Sequence, residues 1–266
     1  MTLTDDQILR YSRHILLPEV GGRGQDRLRQ ARVLVVGAGG LGSPLLYYLA
    51  AVGIGTLVVV DGDYVDLSNL QRQILHTTAR VDHPKVESAA EALRALNPDV
   101  RLELHHDRLS VDNVQALVED CDLVADCSDN FATRFLVNDA CYMARRPLVS
   151  AAVLGFEGQL STYRPHRGGP CYRCLVPALP SSRPTCAEAG VLGSVVGVLG
   201  SLQATEVIKE LLDIGRSMAG RLMIVDALEG EIRTVRLKPD PECALCGPHP
   251  TLKGLDIHRR PSHAAS

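Results

Sequence analysis

The sequence predicts an α/β fold: a doubly wound, mostly parallel, Rossmann-like sheet with a C-terminal strand extension and a four-cysteine zinc knuckle. Three observations carry this prediction. An apolar run at 32–36 enters a glycine-rich turn at 37–42, a second apolar run at 56–60 ends in Asp61, and two Cys-x-x-Cys pairs follow downstream. The first two features form a βαβ unit whose turn can bind phosphate, and the third offers four thiolates to one metal ion.

The elements of the N-terminal half alternate between helix and strand. Thr4 and Gln7 form a capping box that opens a helix, which we expect to stop near Pro18 and Gly21-Gly22. Predicted strands are 31–37, 56–61, 101–104 and 122–127, and predicted helices are about 42–52, 84–96, 111–120 and 130–145. This alternation is typical of a parallel sheet with helical crossovers.

The C-terminal half predicts strands at 147–154 and 159–163, a proline-containing mobile loop at 177–190, and a long helix at about 191–213. The helix contains Gly193, Gly197 and Gly200, which fit a buried helix with close neighbours. Residues 221–237 predict a hairpin that turns at Glu229-Gly230. The last residues, 251–266, are expected to be a disordered tail.

Composition narrows the class of protein. The chain has 266 residues, 45% of them apolar, a net charge of −3 and no basic block, so we expect no nucleic-acid partner. The most apolar segment, 189–204, is shorter than the roughly 20 residues that span a bilayer. The acidic N-terminus carries no export signal, which indicates a cytoplasmic protein. Its cysteines therefore favour metal or catalytic roles over disulfides, and three of them, Cys121, Cys127 and Cys141, are expected in the core.

The glycine turn and Asp61 alone leave two interpretations equally open, an NAD-dependent dehydrogenase and an ATP-using enzyme. Further polar groups favour ATP: Asn69 and Arg72 in a polar loop, Lys85 at a helix start, and Asp129 after the fourth predicted strand. A triphosphate needs cations, and its Mg²⁺ needs a carboxylate. Singly, Lys85 also fits a surface residue and Asp129 a helix cap, but together they predict a site at one edge of the sheet.

Six motifs together carry a resemblance to a known family. They are Gly-x-Gly-Gly-Leu-Gly at 37–42, Ser-Asn-Leu-Gln-Arg-Gln at 68–73, Pro-Lys-Val-Glu-Ser at 84–88, Asp-Cys-Ser-Asp-Asn at 126–130, Cys-Tyr-Arg-Cys at 171–174 and Cys-x-x-Cys at 243–246. Over about residues 5–247 the chain resembles the MoeB/ThiF/HesA adenylyltransferases, relatives of the ubiquitin-activating enzymes. The resemblance implies ATP- and Mg²⁺-dependent adenylation of the C-terminal glycine of a ubiquitin-like sulfur carrier.

The resemblance also implies residue roles. Gly40 would lie against the phosphates, Asp61 would hold the ribose, and Asp129 would bind Mg²⁺. Asn69, Arg72 and Lys85 would contact the triphosphate, and the flanking motif residues Ser68, Leu70, Gln71 and Asn130 complete the set of nucleotide-binding candidates. Arg13 matches an arginine that reaches the active site of a partner subunit, which implies a homodimer.

The cysteine motifs divide into a metal set and a loop cysteine. The metal set is Cys171, Cys174, Cys243 and Cys246, a closed ligand set for structural Zn²⁺, with disulfides or unpaired thiols as the alternative. Cys186 matches a cysteine that in some family members forms a covalent link to the carrier and in others is dispensable. Its role therefore stays open, although we include it among the catalytic candidates.

The expected organisation is one adenylation domain over 1–250, with a nucleotide-binding half at about 30–150 and a zinc- and carrier-binding half at about 151–250. The expected partner is a carrier ending in Gly-Gly, and the sulfur would come from an external sulfurtransferase or cysteine desulfurase. The carrier could be the small subunit of molybdopterin synthase, the thiamine carrier or a tRNA-thiolation carrier. The competing classes are an NAD(P)-dependent oxidoreductase and a non-catalytic nucleotide-binding scaffold.

Overall fold

The computed structural model describes residues 3–178 and 190–259 and places eight strands in one sheet. The strands are Arg32–Val36 (β1), Thr56–Val60 (β2), Arg101–His105 (β3), Leu123–Asp126 (β4), Leu148–Leu154 (β5), Glu157–Tyr163 (β6), Arg221–Asp226 (β7) and Glu231–Arg236 (β8). The helices are Asp5–Ile15 (α1), Gly21–Gln30 (α2), Gly42–Val52 (α3), Lys85–Leu96 (α4), Val114–Glu119 (α5), Phe131–Met143 (α6), Tyr172–Leu175 (α7) and Gly193–Leu212 (α8).

The strand order is β3-β2-β1-β4-β5-β6-β7-β8. The first five strands are parallel, and β6, β7 and β8 extend the sheet through antiparallel pairs. Strands β1, β2 and β4 are almost fully buried, and β1 and β2 are rich in valine, as expected for parallel strands covered on both faces. The predicted doubly wound fold with a C-terminal strand extension is confirmed.

Two apolar clusters cover the two faces of the sheet. One cluster joins α3, α4 and α8 to the sheet, with Leu28 of α2 at its margin. The other joins α5 and α6 to the opposite face and continues to Tyr172 at the start of α7. The β5–β6 turn and the β7–β8 hairpin lie where the sequence predicts them. Because helices alternate between the faces, the carboxyl ends of the parallel strands remain open at one edge.

Helix α1 begins with the predicted capping box: the Gln7 amide donates to Thr4 Oγ1, and the Thr4 amide donates to Gln7 Oε1. Its buried Tyr11 accepts a hydrogen bond from Asn97 Nδ2 at 2.9 Å, and Arg10 donates to the Leu96 carbonyl at 3.0 Å. Leu96 and Asn97 end α4, just before β3 begins. Helix α1 therefore lies at the amino-terminal edge of the sheet, opposite the open carboxyl edge.

Helix α2 differs from the sequence-based expectation, which ended the helical region at Gly21-Gly22. Instead, Gly21 begins a second helix from the left-handed region, with φ +58°. Tertiary contacts explain this helix: buried Gln25 donates to the Val52 carbonyl at 2.7 Å, and Arg27 donates to the Leu212 carbonyl at 2.8 Å. These partners are distant in sequence, so local signals do not reveal the helix.

Two of the three glycines in α8 are required by close packing. A Cβ atom at Gly193 would lie 2.2 Å from the Gln71 carbonyl oxygen, and one at Gly200 would lie 2.5 Å from the Leu41 carbonyl oxygen. Gly197 has no such neighbour among the described residues. The helix thus packs its backbone against the glycine turn and the polar loop at both positions where a side chain would collide.

The C-terminal segment is more ordered than the sequence indicates. Residues 251–259 were expected to be disordered, but they contain a 3₁₀ turn at Asp256–His258, and His258 contacts Asp139. Residues 260–266 and most of the proline-containing loop, 179–189, lie outside the described residues. Within the described ranges, no helix is both long enough and apolar enough to cross a membrane.

Candidate active site and metal centre

A cleft of about 1510 Å³ opens at the carboxyl ends of the parallel strands. Segments that follow β1, β2, β3 and β4 line it, together with side chains of the β5–β6 hairpin. Of the predicted nucleotide-binding residues, the cleft is lined by Gly40, Asp61, Arg72, Lys85, Asp129 and Asn130. The prediction that these residues gather at one edge of the sheet is therefore confirmed for six positions.

The glycine turn has the tight geometry that its sequence predicts. Gly37 has φ +98°, and a Cβ at Gly42 would lie 2.0 Å from the Gly37 carbonyl oxygen. A Cβ at Gly40 would lie 2.9 Å from Val196 Cγ1 of α8. The turn leads directly into the start of α3, where the Ser43 amide donates to the Gly39 carbonyl and the aligned peptide dipoles give a partial positive charge. An anionic group in the cleft would be stabilised there.

Asp61 fastens the turn to the end of β2. Its Oδ2 accepts from the Ala38 amide at 2.8 Å, and its Oδ1 accepts from the Asp63 amide at 2.9 Å. Each carboxylate oxygen retains a second lone pair for a ligand hydroxyl. The carboxylate is therefore fixed by the backbone and still able to accept hydrogen bonds from a ribose.

Two cations stand beside the turn. Arg72 lies with its Cγ 3.7 Å from the position of a Gly40 Cβ, and its Nη1 donates to the Ser68 carbonyl at 3.1 Å. Lys85 is 6% exposed and its ammonium lies 3.1 Å from Asp63 Oδ2. Asp63 also lies 3.5 Å from Arg108. Lys85 is thus paired at the cleft wall with a carboxylate that is itself half exposed.

Four residues of the Ser68–Gln73 hexapeptide lie beside the cleft and do not line it. Ser68, Asn69, Leu70 and Gln71 do not line it among the described residues, although all four were predicted to bind nucleotide. Ser68 and Asn69 belong to a 3₁₀ turn capped by Asp66, and the Gln71 carbonyl packs against Gly193. Gln73, which was not predicted, is buried and lines the cleft, and its Oε1 has no partner among the described residues.

Asp129 and Asn130 divide their roles. Asn130 Oδ1 accepts from the Thr133 amide at 2.9 Å and so caps α6. The Asp129 side chain is exposed and makes no hydrogen bond or ion pair with the described residues. Its helix-cap alternative is therefore wrong, and its carboxylate is available to a cation. The chemistry of this donor fits Mg²⁺, which takes carboxylate oxygens together with water and phosphate oxygens.

A buried polar network beneath this edge was missed by the sequence analysis. Asp126, 1% exposed, accepts from Ser128 Oγ at 2.6 Å and from Ser150 Oγ at 2.8 Å. Arg134 reaches the same carboxylate and donates to the Ser128 carbonyl. The network fixes the backbone that carries Asp129. Its members lie on different strands and helices, so no motif in the sequence indicates that they meet.

His76 was missed for the same reason. It is buried, accepts from Ser88 Oγ at Nδ1 (2.9 Å) and donates from Nε2 to the Ala38 carbonyl (2.8 Å). Burial lowers its pKa, and the neighbouring Lys85 lowers it further, against an opposing hydrogen bond to Ala38. A neutral imidazole therefore ties the polar loop and α4 to the glycine turn.

Arg13 lies on the exposed side of α1, away from the cleft. Because α1 occupies the amino-terminal edge of the sheet, Arg13 does not join the cleft of its own chain. Four large apolar side chains on and after the same helix are exposed: Ile8, Leu9, Leu16 and Leu17. Four exposed apolar side chains so close together are unusual for a surface that faces only solvent.

The four predicted metal ligands come together. The sulfur atoms of Cys171, Cys174, Cys243 and Cys246 all lie within 4.8 Å of one another, and the closest pairs are 3.4–4.0 Å apart. A tetrahedral Zn²⁺ with bonds of about 2.3 Å requires sulfur separations near 3.8 Å, whereas a disulfide requires about 2.0 Å. The disulfide alternative is therefore wrong, and the thiol cluster fits a structural zinc ion.

The remaining cysteines divide into described and undescribed residues. Cys121, Cys127 and Cys141 are buried, as predicted. Burial raises the pKa of the Cys121 thiol to about 11 and raises the pKa of the other two further. All three are thus neutral thiols without nucleophilic character. Cys186 lies outside the described residues.

The sequence comparisons agree with the cleft. Residues 11–245 match the ThiF family. The chain is 50% identical over 256 residues to the adenylyltransferase and sulfurtransferase MOCS3 of Anopheles gambiae, covering 95% of this chain and 58% of that protein. It is 51% identical over 251 residues to the SAMP-activating enzyme E1 of Haloferax volcanii, covering 93% and 92%. The chain therefore spans little more than half the length of the MOCS3 relatives.

The solved structures that resemble this one share its fold at low identity. E. coli MccB with MccA-N7isoASN gives a TM-score of 0.77 at 24% identity, covering 90% of this chain and 74% of that chain. PaaA also gives 0.77, at 22% identity, with 90% and 76% covered. The sheet order, the cleft at its carboxyl edge and the match over 11–245 lead to one conclusion: the chain belongs to the ThiF family.

Proposed function

We propose that this protein uses ATP to adenylate the C-terminal glycine of a ubiquitin-like sulfur carrier, releasing pyrophosphate. One observation carries the proposal: a single cleft joins the glycine turn, two cations and a free carboxylate to the β5–β6 hairpin. The glycine turn, the cations and the carboxylate fit a nucleotide. The part of the cleft along the β5–β6 hairpin leaves room for an extended peptide tail. The relatives named as an adenylyltransferase and as a SAMP-activating E1 support the same assignment.

The chemistry requires little from acid–base groups. A terminal carboxylate is already ionised at neutral pH, so its oxygen can attack the α-phosphorus without a general base. A bond forms between the carboxylate oxygen and the α-phosphorus, which gives an acyl adenylate. The bond between the α-phosphorus and the oxygen that bridges to the β-phosphate breaks, and pyrophosphate leaves. The barrier lies in bringing two anions together and in stabilising the leaving group, for which fixed cations and orientation are suited. Bound Mg²⁺ would supply further neutralisation of phosphate charge.

The residues of the cleft can be given roles in this reaction. Asp61 would accept the ribose hydroxyls, and the turn at Gly40 with Arg72 and Lys85 would bind the phosphates. Asp129 would hold Mg²⁺. Asn69, in the loop beside the cleft, would join them only if that loop moves when the nucleotide binds.

A shared active site in a homodimer explains Arg13. This residue cannot approach its own cleft from the amino-terminal edge, but the exposed apolar face of α1 offers a surface for a second copy. Across a two-fold axis, each subunit can present the same side chain to the other. We propose that Arg13 neutralises phosphate charge in the partner's site.

The sulfur would come from a separate protein, a sulfurtransferase or a cysteine desulfurase. Outside the metal cluster, the described cysteines are buried and neutral, so none of them is suited to carry sulfur. Whether Cys186 forms a covalent link to the carrier stays a prediction. We also propose that the thiol cluster holds Zn²⁺ and that the protein acts in the cytoplasm.

Carrier-dependent exchange of labelled pyrophosphate into ATP tests the proposal. Candidate carriers are the small subunit of molybdopterin synthase, the thiamine carrier and a tRNA-thiolation carrier, each ending in Gly-Gly. Exchange with one of them supports adenylation, and a carrier lacking its last glycine is the control. Hydride transfer to NAD(P)⁺ without exchange would favour an oxidoreductase. Nucleotide binding with no exchange for any carrier would favour a non-catalytic scaffold.

A further inference from the structure

A buried ion cluster lies outside the nucleotide machinery. The Asp139 carboxylate on α6 is 0% exposed and is held by Arg173 of α7, with Nε 2.8 Å from Oδ1 and Nη2 2.6 Å from Oδ2. The Arg173 guanidinium also lies 4.5 Å from the centre of the Phe135 ring. His258 adds a third contact, with Nε2 2.7 Å from Asp139 Oδ2. Two helices and the C-terminal segment therefore meet at one carboxylate.

The contact with His258 is not needed to neutralise this cluster. Burial opposes ionisation of Asp139, but the hydrogen bonds from His258 and Arg173 outweigh it and hold its pKa below the usual range. Arg173 alone already supplies a bidentate, charge-balanced partner. The additional contact therefore fixes the chain segment that carries His258 against α6.

This segment, residues 251–259, is here named the strap. Its start is attached to the cysteine cluster: the amides of Thr251 and Leu252 donate to the Ala244 carbonyl at 2.9 Å each. Its middle packs Leu255 against the apolar cluster that contains α5 and α6. At its end, Arg259 lies 3.1 Å from Asp112. The strap thus runs from the metal centre across the α6 layer to the loop that follows β3.

The strap also reaches the cleft. His258 and Arg259 line it together with the loop at 107–112. Both residues lie beyond position 245, where the family match ends. The match to the ThiF family model therefore does not include this wall of the cleft.

The order of the strands indicates which part of a nucleotide the strap would face. Asp61 directly follows β2. The glycine turn and Asp129 follow β1 and β4 on one side of it, and the loop at 107–112 follows β3 on the other. A nucleotide with its ribose at Asp61 and its phosphates at the glycine turn has its base on the β3 side. Arg259 places a planar guanidinium, 58% exposed, at that end of the cleft.

We propose that the strap forms the outer wall of the base end of the nucleotide cleft, and that His258 is the positioning residue that holds it there through Asp139. The ligand class is the purine base of a nucleoside triphosphate, against which a guanidinium can stack. This inference rests on the proposed function, because it takes the ligand of the cleft to be ATP.

The experiment measures ligand binding to the full chain without a carrier. Calorimetry with ATP and Mg²⁺, and in parallel with tripolyphosphate and Mg²⁺, compares the wild type with His258→Ala, His258→Gln and His249→Ala. We expect His258→Ala to weaken ATP binding about tenfold, the size of one lost base-stacking contact, and to leave tripolyphosphate binding unchanged. His258→Gln should restore binding, because its amide can donate to Asp139. His249 is an exposed histidine near the strap and is the matched control.

Hydrogen exchange supplies the structural readout. The amides of His258 and Arg259 donate to the carbonyls of Leu255 and Asp256, so release of the strap should accelerate their exchange in His258→Ala. Released amides with unchanged ATP affinity would overturn the proposal, and so would equal losses of ATP and tripolyphosphate, which indicate general damage. Failure of the wild type to bind ATP would overturn the proposed function itself, and it is distinguishable because no variant is needed to observe it.

Discussion

At the scale of single residues, the ion pair between Lys85 and Asp63 describes the cleft without a bound nucleotide. Lys85 is buried, and a buried ammonium without a partner is costly. Asp63 supplies the negative charge when no phosphate is present. A nucleotide that takes over Lys85 would leave Asp63 beside Arg108, which already lies 3.5 Å away. The carboxylate thus pairs with the cation but would compete with the phosphates for it.

Removing this competitor should tighten ATP binding. We expect Asp63→Asn to lower the stability of the nucleotide-free protein by less than about 1 kcal/mol, since the carboxylate is half exposed. It should also enlarge the rise in Tm that saturating ATP produces. Thermal scans with and without ATP measure both effects. In a Lys85→Met background the gain should largely disappear, and weaker ATP binding in Asp63→Asn would contradict the exchange of partners.

Asp129 is the residue whose loss should stop the reaction without harming the fold. Because the side chain is exposed and lacks partners among the described residues, Asp129→Ala should change stability by no more than about 0.5 kcal/mol. Carrier-dependent pyrophosphate exchange should fall to background. Glu229→Gln removes an exposed carboxylate that does not line the cleft and should retain exchange. Near-normal exchange in Asp129→Ala would remove the proposed Mg²⁺ ligand.

His76 predicts how stability depends on pH. Its folded pKa is lowered, mainly by burial, so the unfolded chain binds more protons at mildly acidic pH. Its contribution is therefore complete above the unfolded pKa of about 6.5 and is lost as the pH falls below that value. Urea unfolding at pH 7.5 and 5.5 should show a smaller loss in His76→Gln than in the wild type. His249→Gln, an exposed control, should match the wild type.

At the scale of elements, the sequence predicted those helices, strands and turns that depend on contacts between neighbouring residues. The Thr4 and Gln7 capping box, the apolar strands and the turn at Gly37 depend on neighbours in sequence, and the structure confirms them. Helix α2 and the order of residues 251–259 depend on contacts with Val52, Leu212 and Asp139, so no local pattern reveals them. Likewise, the sequence located Lys85 but could not show that Asp63 holds it.

The knuckle that unites α7 with the end of the hairpin should depend on its metal. Metal analysis of the purified protein should find one zinc ion per chain. Cys246→Ser should lower both zinc content and the free energy of unfolding, by about 3 kcal/mol or more, because a closed site contributes its binding energy to folding. The buried Cys121 lies outside the cluster, and Cys121→Ala should keep its zinc. Protein that contains no zinc, or that contains disulfides between these cysteines, would refute the assignment.

At the scale of the whole molecule, the two edges of the sheet have different tasks. The carboxyl edge carries the cleft, and the amino edge carries α1 with Arg13 and its exposed apolar neighbours. A monomer leaves that apolar face uncovered and leaves Arg13 away from the cleft of its own chain. A two-fold dimer would cover the apolar face and would bring Arg13 to a cleft, provided that α1 of one subunit reaches the cleft of the other.

Complementation between two inactive variants tests this arrangement. In a mixed dimer of Arg13→Ala and Asp129→Ala, one site combines an intact Asp129 with an Arg13 donated by the other subunit, and the second site lacks both. Random exchange makes about half of the dimers mixed, so carrier-dependent pyrophosphate exchange should recover to about one quarter of the wild-type rate. Mixing Asp129→Ala with Lys85→Met is the control. Both residues line the cleft of their own chain, so each site of a mixed dimer lacks one of them and no activity should be recovered. Under proven subunit exchange, activity no higher than that of either Arg13→Ala or Asp129→Ala alone would mean that each chain completes its own site.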